Sequence, residues 1–166
     1  MPQTFLRSIL YFSESVYAIS AVRHRLDVEE FMAQFKIYGH EQFLRDSAHA
    51  ISAAIHRASV SALGLPREKR FHRFLPLEPW QFVTPEDRSD RYLIIEVMMF
   101  EGRPEATLKA LYRQVLENLE AECEINANDI ELVVTESPRK HWLIRGLPAD
   151  ELQLNYQVDH STDAPG

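Results

Sequence analysis

Cysteine is nearly absent from this chain of 166 residues: Cys123 stands alone. No internal disulfide can form, which suits a reducing, cytoplasmic setting. Cys123 falls late in an amphipathic stretch and reads as packing rather than as a nucleophile. Metal spacings are missing as well, with no His-Glu-x-x-His and no Cys-x-x-Cys, so neither a metal nor another cofactor is expected. His49 and His56, two helical turns apart, read as a partly exposed helix edge. No apolar run approaches the ~18 residues of a membrane helix. The early apolar stretch is cut by Ser13-Glu14-Ser15, which speaks against a secretory signal and, with the preceding point, against a membrane partner. Basic excess is lacking too. A net charge of −7 argues against nucleic acid, which usually demands a basic face.

What is present is the ordinary composition of one soluble domain, 45% hydrophobic and 26% charged, long enough to bury a core. The chain is organised around Asp90 to Arg103. Leu93-Ile94-Ile95-Glu96-Val97-Met98-Met99-Phe100 is an apolar run broken once, the pattern of a strand covered on both faces at the centre of an α/β sheet. It delivers Glu101-Gly102-Arg103 just before a helix that opens at Pro104. Ligands in open α/β sheets gather at the carboxyl ends of strands, so Arg103 is the first candidate to touch a substrate.

The rest repeats one pattern. Gln34 to Tyr38 alternates as a strand, and Gly39 closes it. A helix from Glu41 carries Leu44, Ala48, Ile51, Ile55, Ala58 and Ala62 on one stripe, with Gly64 as its cap. Phe71 to Leu77 is a second strand. The strand from Leu93 then leads to a helix with Leu108, Leu111, Val115 and Leu119 on one face, and Ile130 to Val134 forms a fourth strand. Two tandem βαβ units follow, giving a four-stranded mixed sheet with both helices on one face. The bare face needs cover, which points to oligomerisation. Residues 1–31 read as an appended helical extension, 32–160 as the domain and 161–166 as a disordered tail. The tail stretch from Trp142 contains Gly146, Pro148 and the alternating run Leu152 to Tyr156, which suits a hairpin that pairs with a neighbouring subunit.

Lys36-Ile37-Tyr38-Gly39, Arg70 to Phe74, Asp87 to Tyr92, Phe100-Glu101-Gly102-Arg103, Glu136 to Trp142 and Ile144 to Pro148, in this order, resemble the tautomerase superfamily. The likeness covers about residues 32–160 and is greatest to the two-unit members related to malonate semialdehyde decarboxylase. The resemblance implies a homotrimer that binds a small carboxylic acid, with an N-terminal proline amine as base and arginines on the substrate carboxylate. An α-amine titrates near ~8 and is readily tuned toward neutrality. Arg103 matches a family arginine. By the same analogy Arg145, Trp142, Tyr38 and His72 are candidate substrate contacts, and Trp142 and Arg145 are equally candidates for a subunit contact.

The sequence departs from that pattern where the chemistry matters most. Ala33 occupies the position of the proline, and its nitrogen is an internal amide in the chain as written. Met1-Pro2 has the family's opening but lies some thirty residues before the strand. A start at Met32 with methionine removal would instead expose Ala33 as a primary amine. Lys69 replaces an acidic residue and reads as a solvated loop position, and Glu101 replaces an arginine, so malonate semialdehyde decarboxylation is disfavoured. Two functions follow: a tautomerase-like isomerase of a small 2-oxo or enol acid, with Ala33 and Arg103 at the reacting centre and a non-standard base, or a trimeric binding or structural protein that has lost the chemistry.

Overall fold

A computed structural model describes residues 32–152. The extension 1–31, the run from 153 to 160 and the tail 161–166 lie outside the described residues. The chain forms β1 (Ala33–His40), α1 (Glu41–Leu63), β2 (His72–Leu77), β3 (Leu93–Phe100), α2 (Glu105–Cys123) and β4 (Ile130–Ser137), and then a two-residue hairpin, β5 (Leu143–Ile144) and β6 (Leu147–Pro148). The main sheet runs β2-β1-β3-β4. β1 is parallel to β2, β3 is parallel to β4, and the two units meet antiparallel through β1 and β3.

Strand alternation decides which side each unit covers. Ala33, Phe35 and Ile37 of β1 and Leu93, Ile95, Val97 and Met99 of β3 are all at most 1% exposed. They form one core with Leu44, Ile51, Ile55 and Ala58 of α1 and Leu111, Val115 and Leu119 of α2. Burying each large aliphatic side chain is worth roughly 1.5–3 kcal/mol, so this single layer of contact dominates stability. Asn118 Nδ2 donates to the Ala54 carbonyl at 3.0 Å and ties the two helices together. α1 ends as its sequence requires, with Gly64 left-handed and its N–H returned to Val60.

One reading changes. Among the described residues β3 is covered on one face only. Its other face carries Ile94, Glu96 and an exposed Met98, because both helices pack against the opposite side. There Glu96 accepts hydrogen bonds from Lys36 Nζ at 3.3 Å and from the Tyr38 hydroxyl at 3.0 Å. His56 changes as well: it is buried rather than at an exposed helix edge, and its Nε2 lies 2.8 Å from the Arg67 carbonyl. A carbonyl only accepts, so that nitrogen carries the proton. Cys123 packs partly buried against the core, and burial pushes its thiol up, away from thiolate chemistry.

Candidate functional site

Strand direction gathers the candidates at one end of the sheet. β1 and β2 start there, and β3 and β4 finish there, as the pairing of Ala33 with Met99 and of Phe35 with His72 requires. The hairpin β5–β6 follows directly from β4. It turns through Arg145 (φ 53°) and Gly146 (φ 83°), the two positive angles of a tight hairpin turn, which glycine adopts at little cost.

A cleft of about 350 Å³ opens at this end, lined by Met32, Glu68, Lys69, Arg70, Phe71, Ile144 and Arg145. Its floor is the start of β1, one wall is the segment leading into β2, and the other is the hairpin. The wall segment is fixed by its backbone: the Lys69 N–H donates to the Pro66 carbonyl at 3.1 Å, and the Phe71 carbonyl accepts from the Phe35 N–H at 2.8 Å. Three cationic residues and one carboxylate thus share a partly enclosed space of a size typical of small-molecule sites. Lys69, read from the sequence as a solvated loop residue, is half-buried in that wall.

Of the sequence candidates, Arg145 lines the cleft, whereas Ala33, next in the chain to the lining residue Met32, is 1% exposed in the core and does not line it. Arg103 lies at the same end, placed by Gly102, whose φ of 102° lets the chain turn out of β3. Its guanidinium donates to the Leu63 carbonyl at the end of α1 at 3.1 Å. Trp142 packs its ring edge-on against Phe100 at 5.2 Å, and its carbonyl accepts from Ala149, so it anchors the hairpin to β3. Tyr38 is elsewhere. It lies five residues further along β1, roughly 16 Å at strand rise, on the bare sheet face with Glu96.

His72 is turned inward beneath α1. Its Nδ1 lies 2.9 Å from the Ser52 hydroxyl, and its ring meets Phe35 edge-on at 5.0 Å. Burial, then the nearby His56, then Arg70 lower its pKa to about 4. It is therefore neutral at physiological pH and works as a brace between α1 and the cleft wall. Arg70, Phe71, Glu68 and Ile144 were not singled out from the sequence as cleft residues. The signal available was register: once Phe35 pairs with His72, the residues just before β2 must flank the start of β1. Among the described residues no group of three or more His, Cys, Asp or Glu side chains is arranged to hold a metal, and no helix is long and apolar enough to cross a membrane.

Comparison with known proteins agrees with this fold. A family model described as tautomerase enzyme matches residues 69–145, the span from the cleft wall to the hairpin arginine. Among solved structures, malonate semialdehyde decarboxylase, described with decarboxylase and hydratase activities, superposes with a TM-score of 0.63 at 22% identity, over 70% of this chain and 94% of that one. The R7 fused 4-OT wild-type asymmetric trimer gives 0.63 at 17% identity, over 70% and 96%. A member of the cis-3-chloroacrylic acid dehalogenase family gives 0.59 at 13%, over 69% and 82%. The resemblance to the tautomerase superfamily therefore holds on two counts: residues 69–145 match by sequence, and the described domain matches by fold.

Proposed function

We propose that this chain is a tautomerase-like isomerase of a small 2-oxo or enol carboxylic acid, working as a homotrimer without a proline base. The observation that carries the reading is the cationic cleft at the start of β1, with Arg145, Arg70 and Lys69 in its walls. Guanidinium groups bind carboxylates in a two-pronged geometry and stabilise charge that develops on an enolate oxygen. Arg145 holds the substrate carboxylate, and Arg103, at the same end of the sheet, assists. Trimer assembly is supported by the trimeric 4-OT structures of the same fold and by Met98 and Val133, exposed on the sheet face that neither described helix covers.

A second reading has its own observation. Ala33, where the resemblance would place the proline base, is buried within β1, and no proline is among the described residues that line the cleft. That favours a binding or structural trimer that keeps the pocket and has lost the chemistry. Ketonisation of phenylenolpyruvate by the full chain separates the two. A rate above buffer that disappears in Arg145→Ala supports the isomerase. Binding of the acid with no rate supports the alternative.

A further inference from the structure

We propose that Lys69, which lines the cleft, is its nucleophile and forms an imine with the carbonyl carbon of a bound 2-oxo acid. The proposal rests on the 2-oxo-acid reading above and adds a covalent step at the same site. Lys69 is the one primary amine among the described residues that line the cleft. Its backbone is pinned at Pro66, two residues before the Phe71 carbonyl that β1 holds, so a fixed Cα carries a long, adaptable arm into the cleft. The other described lysines are placed differently. Lys36 is paired with Glu96 on the far sheet face, Lys109 with Glu105 along α2, and Lys140 is exposed beyond β4. Among the described residues Lys69 has no side-chain hydrogen-bond or ion-pair partner, so its amine is not committed to a structural contact.

The chemistry balances without an oxidant or reductant. With the carboxylate on Arg145, the lone pair of uncharged Nζ attacks C2, a C–N bond forms, and the carbonyl oxygen takes a proton to give a carbinolamine. Loss of that hydroxyl as water, with a proton from nitrogen, leaves the C=N bond. The imine draws electrons from C3, whose proton leaves to solvent to form an enamine. Reprotonation at C3 and addition of water return the 2-oxo acid and the free amine. The route begins and ends at the keto acid and exchanges its C3 proton with solvent, without forming or consuming the free enol.

The test is trapping with borohydride. The full chain is incubated with pyruvate and sodium borohydride, and its intact mass is compared with untreated protein. One adduct is expected, heavier by one pyruvic acid less one oxygen, on the peptide that contains Lys69. Labelling should fall to background in Lys69→Arg, which keeps the charge, and persist in Lys140→Arg. Circular dichroism checks that each variant is folded. An adduct that survives in Lys69→Arg or maps to the α-amine overturns the proposal. Pyruvate binding that depends on Arg145 with no trapped adduct also overturns it, and leaves the 2-oxo-acid reading standing. Neither binding nor adduct overturns both.

Discussion

The two ends of the sheet are built on the same plan and finished in opposite ways. At each end a segment leads into the outer strand of one βαβ unit beside the first residues of that unit's inner strand. At the cleft end this segment is Glu68 to Phe71, and its cations face an opening. At the other end it is the short helical turn Ala127–Asp129, and its charge is consumed. The buried Asp129 carboxylate accepts from the Ser89 N–H at 2.8 Å and from the Ser89 hydroxyl at 2.6 Å. Phe82 stacks on Tyr92 at 5.6 Å, and Arg91 reaches the carbonyls of Cys123 and Glu124 that end α2. A groove of about 510 Å³ remains there, larger than the cleft, but Glu41 and Asp90 oppose Arg91 in its walls. Volume does not distinguish the ends. Charge does, because only a wall of one dominant sign recognises a small carboxylate.

The comparison breaks most directly at Arg145. Arg145→Ala should lower kcat/KM for ketonisation by roughly ten- to a hundredfold, the loss of a charge-assisted grip on the substrate carboxylate worth about 1.5–3 kcal/mol. Denaturation midpoints should barely move. A variant with unchanged rate would remove the distinction between the ends. The reciprocal experiment is Asp129→Ala, which strips the other end of its carboxylate and leaves the Ser89 N–H without a partner. It should cost about 2 kcal/mol in urea unfolding while ketonisation per folded molecule stays near that of the parent. Loss of activity alongside stability would mean that the ends are coupled through the sheet.

A smaller effect follows from His72, the brace of the cleft end. Its folded pKa, about 4, lies below the ordinary 6.5, so the fold prefers the neutral ring. Above pH 6.5 both states are neutral and nothing is lost. Between 6.5 and about 4 the unfolded chain takes up a proton that the folded one refuses, and stability falls as pH falls. The loss should be on the order of 1–2 kcal/mol once solvent screening at a partly exposed ring is allowed for. His72→Gln should flatten that part of the stability profile, whereas Asp129→Ala should leave it in place.

The fold was legible because both periodicities are clean. Period two in β1 and the i, i+4, i+7 stripe in α1 and α2 needed only to be counted, and Gly64 marked its own cap. Two things were hidden. The outer face of β3 is apolar in Ile94 and Met98, so its composition could not say that no other described element packs on this side. Tyr38 and His72 were grouped with the arginines because the strands that carry them reach the site. Alternation sends Tyr38 to the bare face, and pairing with Phe35 sends His72 under α1. Arg145 could be suspected, but Lys69 and Arg70 join it only when the parallel register of β1 and β2 is known. A cleft assembled from three separate segments has no linear signature.

The finest test concerns which arginine serves the cleft. Gly146 and Gly102 both have positive φ, 83° and 102°, and an added Cβ at either meets no atom within 4 Å. Alanine at each therefore costs backbone strain alone, about 1–2 kcal/mol. Gly146→Ala strains the turn that sets Arg145, in a hairpin held by only two residue pairs. Gly102→Ala strains the exit from β3 that sets Arg103, whose side chain is also held by the Leu63 carbonyl. If Arg145 holds the carboxylate, Gly146→Ala should lower kcat/KM by about fivefold, the equivalent of about 1 kcal/mol, and Gly102→Ala should change it less. The reverse order would move the carboxylate to Arg103 and make the hairpin a wall rather than a binding arm. Equal small losses in both would mean that the two arginines grip the same substrate from opposite sides.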